Sequence, residues 1–249
     1  MKISLITINR NNAPGLKRTL ASIREQLPKT AEEHTLEHII VDGMSTDGSL
    51  SVVIPELNSR TISSEPKGVY NAINVGVREA TGDIIGLLHS GDVFEAPDIL
   101  HSVLETFSSE KSLDFIWGDV SIGRRLYSSK DFKPGSLETG FAPPHPSLYI
   151  RKEVYASTGP YDESYITAAD FEYFVRLFSN PTLRGEYLPR NMVRMQPGGM
   201  SQSFSSRLTT NNRERLRALS SHGLRASRLM LLLHYKQVLK GYLCFYRKK

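Results

Sequence analysis

KISLITINRNNAPGLKRTLASIREQLP, residues 2–28, decides the fold. Its first eight residues, KISLITIN, read as a short buried strand that ends in polar side chains. Leu16, Leu20, Ile23 and Leu27 then recur at helical spacing, with Asn12 placed to cap, Pro14 near the first turn and Pro28 as the stop. The alternation continues downstream. LEHIIVD (36–42) is a second strand and GMSTDGS a loop; Val69, Ile73 and Val77 form one helix face that closes near Gly82. DIIGLL (83–88) is a third strand running straight into HSGD, 97–107 is another helix, and DFIWGD (114–119) another strand. Strands separated by helices predict a mainly parallel, Rossmann-like sheet with helices on both faces. Ligands of such sheets bind beyond the carboxyl ends of the strands. Three polar clusters sit at such ends: Thr7-Ile8-Asn9-Arg10, Asp42-Gly43 and His89-Ser90-Gly91-Asp92.

The second half is less regular. KPGSLETGFAPPHPS (133–147) is a Pro/Gly-rich loop. YDESYITAADFEYFVRLF (161–178) begins as a turn and ends as an amphipathic helix, with Phe171, Phe174, Val175 and Phe178 inward. Residues 186–195 suit a strand, Gly198-Gly199 is a break, and from Ser206 the pattern is helical and basic. There is no internal repeat and no low-complexity segment.

Composition excludes several classes. A chain of 249 residues with 39% hydrophobic side chains can bury a substantial core, which rules out disorder as the main state. The single cysteine, Cys244, rules out a disulfide framework and a cysteine-built zinc site. The first dozen residues are too short in apolar content for a secretory signal, so a cytoplasmic chain is expected. The longest purely apolar run near the C-terminus, 229–233, is far short of the roughly 20 residues of a spanning helix. The net charge of +5 hides an asymmetry: residues 207–249 hold eleven Lys/Arg and one acid, and the remaining 206 residues hold 20 basic and 25 acidic side chains. A basic tail on an acidic body suggests two jobs.

With no P-loop lysine motif, no GxGxxG, no GxSxG and no suitable cysteine nucleophile, the chemistry falls to carboxylates and a metal. Asp92 sits on a Ser-Gly-Asp turn after a strand. It suits a Mg²⁺ or Mn²⁺ ligand that leaves room for a diphosphate, or equally a turn aspartate. Asp42 suits a nucleoside contact or an Asx turn. Asp47 reads as a structural cap. Asp170, after Ala168-Ala169 at the start of a helix, suits a general base or a cap that complements the helix dipole. His145 lies between prolines that fix its loop, and a lone histidine is more often structural than a ligand.

Four segments in register resemble glycosyltransferase family 2: LITINRNNAPGLKRTLASIREQ, IIVDGMSTDGS, KGVYNAINVGVREATGDIIGLLHSGD and HPSLYIRKEVYASTGPYDESYITAADFEYFVRL. The resemblance spans roughly residues 1–205 and is nearest to bacterial transferases that assemble surface polysaccharides. It implies a GT-A fold and inverting, metal-dependent transfer from a nucleotide diphosphate sugar, UDP-linked by expectation, to a hydroxyl of a glycan or polyprenyl-linked glycan. It places Thr7, Asn9, Arg10, Asp42 and Lys67 on the nucleotide, Asp92 on Mg²⁺ or Mn²⁺, and Asp170 as the catalytic base. Asn74, His89, Gly91 and His145 become donor or acceptor contacts, and GGMS (198–201) an acceptor-side segment. Two departures stand out: only one acid remains at Gly91-Asp92, where family members usually have two, and His89 replaces an Asp or Asn. Asn71 stands where an acid is common.

The expected organisation is a catalytic domain over 1–205, with a nucleotide-sugar half (1–95) and an acceptor half (96–205), followed by a basic amphipathic helical tail (206–249). The tail's expected partners are the inner face of the cell membrane, through residues such as Leu231, Tyr235 and Lys240, or a second copy of the chain. A nucleotidyltransferase lacks its glycine-rich signature here. A nucleic-acid binder using the tail lacks a recognition fold, so no nucleic acid is expected. A catalytically impaired sugar-nucleotide-binding relative is the remaining alternative, prompted by Gly91.

Overall fold

The computed structural model of the protein describes residues 1–30, 34–197 and 210–226. Strands β1 (Lys2–Asn9), β2 (Thr35–Asp42), β3 (Arg60–Ser63) and β4 (Ile84–Leu87) are followed by β5 (Val93–Phe94), β6 (Phe115–Ile122), β7 (Arg125–Tyr127), β8 (Tyr149–Arg151) and β9 (Gly185–Met195). The helices are α1 (Ala13–Arg24), α2 (Leu27–Thr30), α3 (Val69–Glu79), α4 (Ile99–Ser109), α5 (Lys152–Thr158), α6 (Ala169–Ser179) and α7 (Asn212–Ser221). One sheet runs β3-β2-β1-β4-β8-β6-β9-β5, with β7 paired to β6. The pairs β3·β2, β2·β1 and β1·β4 are parallel; beyond them β8 is antiparallel to both β4 and β6, and β6·β9 is parallel again.

The strands are buried on both faces because successive residues feed two cores. In β1, Ile3 and Leu5 join Leu16, Leu20 and Ile23 of α1 and Leu100, Val103 and Phe107 of α4. Ile6, with Ile39 and Val41 of β2, instead joins Ile73 of α3 and Phe171 and Phe174 of α6. Helix α3 lies close on β1: a Cβ on Gly76 would stand 2.4 Å from the Ile6 side chain. The cap of α1 is as the sequence suggests, with Asn12 Oδ1 accepting from the Gly15 N–H at 3.1 Å. The helix nevertheless ends at Arg24, short of Pro28, which lies inside the separate turn α2. Proline is tolerated in a helix's first turn, so it starts a new turn where a stop was expected.

Helix α7, inside the basic 206–249 segment, docks on the body. Ala218 and Leu219 are buried in the α3/α6-side core, and Leu224 packs against it. His222 Nε2 lies 2.9 Å from Glu172 Oε1 of α6. The GGMS segment and the apolar-basic residues from 227 onward lie outside the described residues. Among the described residues, no helix is long and apolar enough to cross a membrane.

Candidate functional site

Two adjoining clefts open among the described residues, the larger at the carboxyl ends of β1 and β4 and the smaller beside the end of β6 and β7. The larger, about 710 Å³, is lined by Asn9, Arg10, Tyr70, His89, Asp92 and Asp170 among others. The smaller, about 440 Å³, is lined by Arg125, Tyr127, Phe141, Phe174 and Arg215. Pro144, His145, Thr167, Asp170 and Met195 border both.

Asp92 ends a turn built by α1. Thr19 Oγ1 donates to the Asp92 carbonyl at 2.7 Å and accepts the Gly91 N–H at 2.9 Å, while Asn12 Nδ2 donates to the Ser90 carbonyl at 3.0 Å. Burial raises the Asp92 carboxyl to about 6, only partly offset by the Gln196 N–H, which donates to Oδ1 at 2.9 Å. Among the described residues this buried carboxylate on the cleft accepts one backbone N–H, and its hard oxygens suit Mg²⁺ or Mn²⁺. The acid missing before it has a geometric reason. Gly91 has φ +109, and a Cβ there would stand 2.2 Å from Gln196 Oε1. That oxygen also accepts from Arg18 Nη2 at 2.8 Å.

Asp170 lies deep in the body while opening on both clefts. Burial raises its carboxyl; Arg215, the Phe171 N–H at 2.8 Å and the Tyr70 hydroxyl at 3.4 Å act against the rise. Burial, then the Asp170 charge, pushes the Tyr70 phenol far up, so it stays protonated and donates. His89 and His145 face each other with ring centroids 5.7 Å apart. Burial lowers His145 to about 4; burial and then His145 lower His89 to about 3, against the pull of Asp170. Both are therefore neutral near pH 7 and act as hydrogen-bonding groups. His145 Nε2 pairs with the Tyr161 hydroxyl at 3.0 Å, and among the described residues His89 Nδ1 is buried with no hydrogen-bond partner.

Other expected residues are elsewhere. Thr7 is fully buried, its hydroxyl 3.0 Å from His38 Nε2, so it points into the sheet's packing and does not line the larger cleft. Asp42 is 1% exposed and is consumed by Asn9 Nδ2, Ser45 N–H and Ser45 Oγ at 2.7–2.8 Å: it is the Asx turn, and it holds the Asn9 side chain at the edge of the cleft. Asn74 bridges Tyr161 N–H and carbonyl at 2.9 Å, tying α3 to the 161–168 loop away from the cleft. Lys67 is exposed and paired with Glu65 at 3.0 Å; its neighbours Pro66 and Gly68 line the cleft instead.

Glu214 of α7 was not singled out by the sequence. Its carboxylate accepts the N–H groups of Ile166, Thr167 and Ala168 at 2.8–3.0 Å and the Thr167 hydroxyl at 2.9 Å. Arg215 beside it covers the Phe171 ring at 4.5 Å. The only hint in the sequence is that Glu214 is the lone acid of a basic segment.

Comparison with known proteins finds glycosyltransferases. An uncharacterized glycosyltransferase of Mycobacterium tuberculosis is 31% identical over 185 residues, covering 70% of this chain and 68% of its own. A PGL/p-HBAD biosynthesis glycosyltransferase of the same species is 31% identical over 160 residues, 61% of this chain and 62% of its own. Among solved structures, S. aureus TarS 1-349 in complex with UDP-GlcNAc superposes with a TM-score of 0.71 at 19% identity, over 89% of this chain and 66% of that one. The glucosyl-3-phosphoglycerate synthase of M. tuberculosis, crystallised with Mn²⁺, UDP and phosphoglyceric acid, gives 0.64 at 14%, over 90% and 79%. These structures share the GT-A fold with this chain. The family model Glycosyl transferase family 2 matches residues 4–161, and the chain belongs to that family.

Proposed function

We propose that this glycosyltransferase moves a sugar, with inversion at the anomeric carbon, from a UDP-sugar in the larger cleft to a hydroxyl of a glycan or lipid-linked glycan in the smaller one. The observation that carries the reading is the place of Asp170, a deeply set carboxylate shared by two clefts. A transferase needs two substrates meeting at a base, and Asp170 stands at that meeting point. The uridine assignment draws on TarS with UDP-GlcNAc and the synthase with UDP. In this reading residues 1–95 form the nucleotide side, and α7 belongs with the acceptor side.

The mechanism follows from the residues. A hydroxyl is a poor nucleophile near neutral pH, so Asp170 takes its proton as the oxygen attacks the anomeric carbon. The new C–O bond forms on the face opposite the breaking bond to the diphosphate, which inverts the centre. Tyr70 holds the Asp170 carboxylate through its hydroxyl and fixes the lone pair that receives the proton. Arg10 and Asn9 border the nucleoside end, and the neutral rings of His89 and His145 supply hydrogen bonds to the sugar or diphosphate without competing charge. Asp92 is the residue that would hold Mg²⁺ or Mn²⁺. By holding such an ion, that carboxylate would help to offset the negative charge gained by the departing nucleoside diphosphate.

The experiment is a screen of UDP- and GDP-sugars for nucleoside diphosphate release, with and without Mn²⁺. Release from a UDP-sugar, stimulated by Mn²⁺, is expected. A chain that binds a UDP-sugar but releases nothing with any acceptor tried would instead support the impaired relative, which the single acid at Gly91-Asp92 prompts. Failure to bind any nucleotide sugar overturns both.

A further inference from the structure

At the opposite end of the sheet, where β2 begins, three metal-ligating side chains converge. His101 and Glu105 stand four residues apart on α4, so they share one face of the helix. His34 immediately precedes β2. One ring nitrogen of each histidine and one carboxylate oxygen of Glu105 all lie within 4.8 Å of one another. His34 Nε2 is 3.1 Å from Glu105 Oε1, and the two imidazole centroids are 6.2 Å apart. The His34 side chain is 5% exposed and that of Glu105 48%, so the cluster is walled on one side and reachable from solvent on the other. Among the described residues, Nδ1 of His101 is buried with no hydrogen-bond partner.

We propose that His34, His101 and Glu105 form a zinc site, separate from the donor cleft. The donor set decides the ion: two imidazoles and one carboxylate suit Zn²⁺, with water in the fourth position, whereas Mg²⁺ and Mn²⁺ prefer oxygen. Bonds of about 2.0–2.1 Å set tetrahedral ligand–ligand edges near 3.3 Å. The His34–Glu105 edge is already that short, and the other two separations lie within 4.8 Å. A bound ion also gives the His101 ring a partner. Because His34 and α4 are distant in sequence, the ion staples the start of β2 to α4, which stabilises the fold and takes no part in sugar transfer.

The test uses the untagged full chain, stripped with chelator and dialysed against Zn²⁺ or Mn²⁺, with bound metal measured by atomic absorption. One zinc per chain is expected, with affinity weakened at least ~10-fold in His101→Ala and in Glu105→Gln, and unchanged in Asp92→Ala. Zinc should raise the melting temperature of the wild type and of Asp92→Ala, but not of His101→Ala. Glu105→Gln keeps a partly exposed, isosteric side chain, so it reports on binding even if His101→Ala folds poorly. Zinc uptake unaltered by both cluster variants, or no uptake by folded wild type at micromolar zinc, overturns the proposal. Neither result bears on the transferase reading, because no readout uses sugar transfer.

Discussion

The Glu214 carboxylate accepts the Ala168 N–H at 3.0 Å, two residues ahead of Asp170. With the Ile166 and Thr167 amides also bound to it, a residue of α7 fixes the backbone from which the proposed base projects. Glu214→Ala leaves three backbone donors without this partner. Hydrogen bonds to a charged group contribute roughly 1.5–3 kcal/mol each, but water can recover part of that. The expected net loss is about 2 kcal/mol, or roughly 4–8 °C in melting temperature. Turnover should fall while donor affinity holds, because the larger cleft's nucleoside end is untouched. Equal loss of donor affinity and turnover would show that α7 supports the whole fold and not the Asp170 loop.

Asp170→Asn keeps shape and hydrogen bonding but cannot take a proton. Transfer should fall at least ~100-fold, the scale of general-base catalysis, with donor binding near wild type in calorimetry. Burial raises the Asp170 carboxyl, so activity of the wild type should drop on the acid side at a higher pH than an ordinary aspartate would give. A pH–rate profile with no acid limb above the usual carboxylate range contradicts the assignment.

How much of this could be read beforehand depended on length scale. β1, β2 and the apolar stretch of β4 announce themselves through residues such as Ile3, Leu5, Ile39 and Val41, because both faces of those strands are buried. β5, β7 and β8 have two or three residues each, too few for any period, and exist only because longer strands pair with them. The turns around Asp92 and Asp170 left a purely structural reading of each open, and it is the family resemblance that gives them their proposed roles. Asp42 and Asn74 were legible as polar residues near strand and helix ends, but their partners, Ser45 and Tyr161, decide that they look inward. Glu214 reads as a solvated charge in a basic helix until the fold brings it to Thr167, 47 residues away in sequence.

Asp92 should make the metal-free protein pH-sensitive. Its folded value of about 6 lies above the ordinary 3.8, so the native state binds its proton more tightly than the unfolded chain. The resulting stability is present below the ordinary value and is lost as pH rises through about 6. In EDTA this amounts to about 1 kcal/mol between pH 5 and pH 7.5. Urea unfolding should show that loss in the wild type and less of it in Asp92→Asn. Above pH 6, Mn²⁺ should stabilise the wild type and leave the variant unchanged; equal responses would remove Asp92 as the metal ligand.

Restoring the second acid looks attractive from the sequence and unattractive from the structure. Gly91→Asp places a side chain at φ +109 and against Gln196. The backbone penalty alone is about 1–2 kcal/mol, and displacing Gln196 breaks its bond with Arg18. The variant should melt lower and bind Mn²⁺ no better per folded molecule. Tighter Mn²⁺ binding in calorimetry, at unchanged melting temperature, would mean the turn can open and that a two-acid site is accessible.

The segment from 227 to 249, outside the described residues, holds six Lys/Arg and no acid among leucines and tyrosines. We propose that this segment meets a membrane interface, because basic sequences with interspersed leucines and aromatics can place apolar side chains in the acyl boundary and basic ones on anionic headgroups. At about 1 kcal/mol for each basic residue near an anionic surface, six can hold a protein there reversibly. Such a location also suits a lipid-linked acceptor. Truncation at Ser205 cannot test this, because it removes Glu214 and the buried Ala218 and Leu219 along with the tail. A chain ending at Ala226 keeps α7. The full chain should co-sediment with anionic vesicles, weaken with salt and ignore neutral vesicles, while the version ending at Ala226 stays in the supernatant with its melting temperature and donor turnover intact. Equal sedimentation of both would move the contact to the body. If the full chain stays in the supernatant even at low salt, the tail serves packing or self-association, and the membrane proposal is wrong.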